Sequence, residues 1–206
     1  YTLFGESHGP VVGVLLRHVT AGLPVDRLQM ERELLRRSPN GQLSTARRET
    51  DQVQFLSGVF QGYTTGMPFV MAIPNRDVRS GDYDALRTVA RPGHADYTAH
   101  VKAKGFQDYR GGGHFSGRLT APLCIAGGIA LQALEARGIK VMAHVAQIGG
   151  ISDLPMDDMV YREADRKAIL SNDLPCIDAA AGGRMREEIL AARDELDSIG
   201  GIVECG

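Results

Sequence analysis

Cysteine is scarce in this chain, neither sign of charge is in excess, and long apolar runs are missing. Each shortage excludes a class of protein. The 206 residues hold three cysteines, Cys124, Cys176 and Cys205, with no Cys-x-x-Cys spacing. An odd count without that spacing argues against a disulfide framework or a zinc site and for reduced thiols, so a cytoplasmic protein is expected. The formal net charge is −2, too near neutral to steer the chain onto nucleic acid or a membrane surface. Any anion must then be held by a local basic cluster. No apolar run approaches the roughly 20 residues that cross a bilayer. No signal peptide is visible, and the chain opens at Tyr1 without methionine.

What is present suffices for a buried core. Hydrophobic residues make up 43% and charged residues 23%, which suits one domain or at most two small ones. Residues 11–20 are rich in β-branched types and read as a strand, as do 51–60 and 67–75. Asp26 reads as the N-cap of a helix to about Arg37, with Leu28, Leu34 and Leu35 on its apolar side. The strongest helix signal covers 116–138, with Pro122 in its first turn and Gly138 after its end. It is apolar on nearly all sides, which marks a helix between two layers. Gly127 and Gly128 weaken it, so close approach of a neighbour should compensate. A strand over 139–151, an amphipathic helix from about Asp178 to Leu196 and a last strand in "GGIVECG" complete the pattern. The alternation is irregular, so α+β layers fit better than repeated βαβ units.

Four segments carry candidate chemistry. His8 lies in a turn between Gly5 and Gly9, presented rather than packed, and imidazole suits proton transfer near neutral pH. Arg36, Arg37, Arg47 and Arg48 bracket a Pro/Asn/Gly loop and could converge on a phosphate or carboxylate. In "RPGHADYT", Asp96 could orient the His94 ring, or His94, Asp96 and His100 could ligate a metal, a weak pattern. The fourth is "YRGGGHFSGRL" (109–119), whose glycines could be a plain loop, an anion cradle or a hinge. Its free N–H groups could meet an anion near Ser116 and Arg118. It is neither the dinucleotide fingerprint nor a Walker loop, since Ser116 stands where a third glycine belongs and no Gly-Lys-Ser/Thr follows.

Taken in order, "FGESHG" (4–9), "RRETDQVQFLSGVFQGYTTGMP" (47–68), "RPGHADYT" (91–98) and "DYRGGGHFSGRLTAP" (108–122) resemble the N-terminal motifs of chorismate synthase. The resemblance runs over essentially the whole chain. It implies a single chorismate synthase domain over 1–206, truncated at both ends, and hence a fragment inactive by itself. It implies an α+β fold, a β-α-β sandwich with apolar helices between antiparallel sheets, assembled as a homotetramer. The activity implied is a lyase of the shikimate pathway and aromatic amino acid biosynthesis. It would convert 5-enolpyruvylshikimate 3-phosphate to chorismate and phosphate by 1,4-anti elimination with reduced FMN. NADPH would serve only as an indirect electron source, through a built-in or separate flavin reductase. Carried over by position, His94 would protonate the departing phosphate and His8 the reduced flavin. Arg37, His114, Phe115 and Ser116 would bind the cofactor, and Arg47, Arg48 and Arg118 the substrate phosphate, with no metal. Many members carry Arg-Ser-Ser-Ala-Arg where this chain has His114 to Arg118, and Leu43 stands near a position often held by arginine.

Overall fold

The computed structural model describes residues 1–38, 51–76, 83, 87–156, 162–172 and 174–206. The chain divides into two compact units, one built from 1–38 and 46–138 and the other mainly from 139–206.

The first unit rests on a four-stranded antiparallel sheet in the order β1-β2-β6-β3, formed by β1 (Thr2–Gly5), β2 (Val11–Leu16), β6 (Phe69–Pro74) and β3 (Gln54–Ser57). A small hairpin joins β4 (Val59–Phe60) to β5 (Tyr63–Thr64). The expected strand over 51–60 is therefore two short ones, because the register shifts after Phe55 and Gly58 turns the chain at φ +86°. Alternate residues of β2 and β6 (Val12, Val14, Phe69, Met71 and Ile73) are fully buried.

Helix α1 (Arg27–Arg37) starts where the sequence says it should, with the Asp26 carboxylate accepting from Gln29 N at 3.1 Å. Its buried face is a correction. Met30 and Leu34 are buried, whereas Leu28 and Leu35 are 69% and 71% exposed. Helix α3 (Thr120–Glu135) lies against β2, β6 and α1. A Cβ on Gly128 would stand 3.1 Å from Met30 Cα, so this glycine admits the close approach of α1. Gly127 faces open space. Leu123, Gly127 and Ala130 form an exposed stripe, so the helix is not covered on every side within this unit. Arg110–Glu135 taken as one stretch is long and apolar enough to cross a membrane by length and composition. Its continuous α-helix is only the 16 residues of α3, and Ala121, Ile125, Ala126 and Ile129 bury into the core. It is the core helix of this unit.

The second unit carries a three-stranded antiparallel sheet, β8-β7-β9, from β7 (Ala143–Ile148), β8 (Ile151–Ser152) and β9 (Gly201–Cys205). The strand expected over 139–151 is thus a hairpin turned at Gly149 and Gly150. Helix α5 (Ala179–Asp194) is capped by Asp178, which accepts from Ala180 N and Ala181 N. Helix α4 (Glu163–Ser171) falls in a stretch the sequence reads only as polar. His144 of β7 is held from both sides. Its Nδ1 lies 2.8 Å from Asp153 Oδ2 and its Nε2 2.8 Å from Glu204 Oε2, with the ring fully buried. Burial pushes the Asp153 carboxyl up. The N–H groups of Asp178 and Ile177 and the His144 ring outweigh that and hold it below its usual range.

Candidate functional site

The three glycines at 111–113 all take positive φ, at +57°, +82° and +54°, inside a pair of tight turns over Arg110–Phe115. L side chains rarely adopt that backbone. Close packing gives a second reason at two of them. A Cβ on Gly111 would fall 2.6 Å from Cδ2 and Nε2 of His8, and one on Gly113 would run into the carbonyl oxygen of Asp108. Ser7 N donates to Gly113 O at 3.0 Å, and the His114 ring donates from Nδ1 to Gly5 O at 2.9 Å. What the glycines admit at closest range is the protein's own His8 turn. His8 is buried, 8% exposed, and the Tyr83 ring stands edge-on to it with centroids 4.9 Å apart.

Beside this turn lies a cavity of about 500 Å³. His94, Arg91, Arg87, Asp108, Gly111, Gly112, Phe115 and Ser116 are among its walls. His94 sits at the entrance to helix α2 (Asp96–Lys102) and is exposed. Its Nδ1 donates to Pro92 O at 3.2 Å, so Nε2 is the ring atom that can carry a transferable proton. Asp96 does not orient that ring. It is clasped by Arg91 through Nε at 2.9 Å, Nη2 at 3.0 Å and the backbone N–H at 3.0 Å. The Arg91 guanidinium holds the Asp96 carboxyl down at about 2, so near neutral pH it is an anion that fixes an arginine and not an acid.

The expected ligand residues separate into three groups. Phe115 and Ser116 line the cavity with His94. His114 turns its Nδ1 to Gly5, and Ser116 Oγ accepts from Arg118 N at 3.2 Å, so that N–H is already engaged. Arg37 and Arg118 belong to a buried ionic network instead. Asp51 accepts from Arg37 Nη2 at 3.1 Å through Oδ2 and from Arg118 Nη1 at 2.6 Å through Oδ1. Arg118 and Asp51 side chains are each 4% exposed, and Arg118 Nε also donates to Asn75 Oδ1 at 3.1 Å. Arg36 diverges from Arg37 to pair with Glu33 at 2.7 Å. Arg47 and Arg48 lie outside the described residues. Among the described residues no group of three or more His, Cys, Asp or Glu side chains is arranged to hold a metal ion, and His100 bonds to Gln107. Asp51 and Asn75 were missed in the sequence reading, because only three-dimensional contact joins them to Arg118.

The family model described as chorismate synthase matches residues 1–206. The chain belongs to the chorismate synthase family. It is 49% identical over 205 residues to the chorismate synthase of Aeropyrum pernix, covering 98% of this chain and 53% of that protein. The chorismate synthase of Thermococcus kodakarensis is 46% identical and that of Porphyromonas gingivalis 45%, each covering 99% of this chain and 55% of the relative. The chain therefore spans about half the length of these relatives. A chorismate synthase crystal structure superposes with a TM-score of 0.70 at 24% identity, over 99% of this chain and 56% of that one. The α+β fold of antiparallel sheets and packed helices is thus that of chorismate synthase.

Proposed function

We propose that the full-length gene product carrying this chain eliminates phosphate from 5-enolpyruvylshikimate 3-phosphate to give chorismate, with reduced FMN as cofactor. The observation that carries the reading is one convergence. Gly111 packs on His8 and, with Gly112, walls the same cavity as His94, Arg91, Phe115 and Ser116. The residues suit the cofactor. A flat ring system takes the half-buried backbone at Gly111 and Gly112 beside an aromatic face such as Phe115, and a phosphate takes guanidinium donors. The buried Nε of Arg37 also has no hydrogen-bond partner among the described residues. Reduced flavin, when bound, supplies transient electron density to the carbon–oxygen bond being broken.

This chain's own residues then hold anions and move protons. His94 delivers a proton from Nε2 to the departing phosphate, offsetting the charge that builds on the leaving oxygen. His8, fixed between Gly111 and Tyr83, would hold the proton that a bound reduced flavin takes up. Arg91, held flat by Asp96, presents a fixed guanidinium beside His94 to the phosphate. Arg37, His114, Phe115 and Ser116 are assigned to the cofactor, and Arg47, Arg48 and Arg118 to the substrate phosphate. The two units are parts of one chorismate synthase domain, in a cytoplasmic homotetramer. Its flavin is reduced by a built-in or separate reductase that draws on NADPH.

Substitution in the full-length protein tests the assignments. His8→Ala and His94→Ala should each lower chorismate formation by roughly 10²–10⁴-fold, the usual share of a general acid. His18, exposed in a turn at φ +58° beyond the end of β2 and not in a strand as its sequence suggests, is the control and should change it little. Equal losses from all three would mean damage to folding and would sink the assignment.

A further inference from the structure

The end of β6 brings Asn75 beneath the turn that carries His8. Its Nδ2 donates to the carbonyls of Glu6 at 3.0 Å and Gly9 at 2.8 Å, which flank Ser7 and His8. Its backbone N–H donates to Pro10 O at 3.0 Å, and its Oδ1 accepts from Arg118 Nε at 3.1 Å. The partners fix the orientation of the amide, since carbonyls only accept and a guanidinium only donates. A primary amide on a single methylene supplies two donors and an acceptor at this reach. Aspartate has the same shape but would set a carboxylate against two carbonyl oxygens.

We propose that Asn75 is a positioning residue for His8. It joins the His8 turn to the buried Arg118–Asp51–Arg37 network, so that the imidazole is held at one distance from Gly111. The proposal rests on the reading of His8 as a proton carrier. Without the Asn75 side chain the turn still has the bonds from Ser7 N to Gly113 O and from Gly9 N to Glu6 O. It should therefore persist, with the ring displaced rather than lost. A group moved by about 1 Å costs on the order of 10²-fold in rate.

The test uses the full-length protein with two variants. Asn75→Ala removes both donors and the acceptor, and Asn75→Gln keeps them on a stem one methylene longer. Two readouts are taken: kcat and KM for chorismate formation, and the ring resonances of the six histidines of this chain by NMR. Asn75→Ala should lower kcat by roughly 30–100-fold with KM changed by less than about threefold. It should shift the His8 resonance while those of His18, His94 and His144 stay in place. Asn75→Gln should shift His8 less and recover part of kcat. If the alanine variant does not fold, the glutamine variant decides by the same criteria. A folded variant with His8 unshifted, or one that moves every histidine together, overturns the proposal. If the unsubstituted protein makes no chorismate, the functional reading fails, and the resonances still decide whether Asn75 positions His8.

Discussion

Gly111→Ala puts the central packing contact of the site to a direct test. Two costs are expected. Alanine at φ +57° loses about 1–2 kcal/mol for a left-handed backbone. Its methyl would also stand 2.6 Å from the His8 ring, about 1 Å short of ordinary carbon contact. The ring or the glycine loop must move by about that distance, enough to lower turnover on the order of 10²-fold if His8 carries a proton. Gly112→Ala separates the two costs. It has the same backbone penalty, at φ +82°, but its methyl would meet nothing nearer than Ser116 Cβ at 3.7 Å. Both variants should melt roughly 2–8 °C lower than the parent protein, and only Gly111→Ala should displace the His8 ring resonance in NMR spectra. A His8 resonance unmoved in Gly111→Ala, or moved equally in both variants, would refute the claim that the run makes room for His8.

Three further outcomes follow from packing and charge. The Asp96 carboxyl is depressed to about 2 by its bonds to Arg91, so its contribution is complete above the unfolded value near 4 and is lost as pH falls through about 2. Urea unfolding of Asp96→Asn should show a smaller fall in stability between about pH 4 and pH 2 than the parent, and an identical pH dependence would contradict the ion pair. Gly127→Ala, in open space, should stabilise by about 1 kcal/mol through helix propensity, whereas Gly128→Leu should cost about 1–3 kcal/mol by overpacking Met30; thermal melts showing the same sign for both would contradict the α1–α3 contact. Cys176 is fully buried and burial pushes its thiol up to about 11, with Asp153 and Asp178 adding to the rise, so a maleimide should label exposed Cys205 first and Cys176 only on unfolding.

Helices were legible where a capping side chain announces them. Asp26 and Asp178 both cap through their carboxylates, and both helices fall where the sequence puts them. Helices α2 and α4 carry Ala95 and Arg162 at the N-cap, with no side-chain cap bond, and neither was read. On α1 the leucines mislead. At about 100° per residue, Leu28 and Leu35 point about 120–140° away from the Met30–Leu34 direction, and the side that buries is set by Gly128 on a helix 98 positions later. The family motifs group His94, Phe115, Ser116 and the glycine run, and of these His94, Phe115, Ser116, Gly111 and Gly112 line one cavity. The Asp96 partner was not legible, since an arginine five residues earlier competes for the carboxylate more strongly than a histidine two residues earlier. Asp51 and Asn75 act on Arg118 across 67 and 43 residues, a separation no local pattern encodes.

The most direct measurement is product formation by the full-length protein under anaerobic conditions, with dithionite-reduced FMN and 5-enolpyruvylshikimate 3-phosphate. The account predicts chorismate and phosphate released one for one, no net oxidation of the flavin, no turnover without reduced FMN, and no loss of rate with a chelator. Phosphate release without chorismate, turnover with no flavin present, or a rate abolished by the chelator would contradict it.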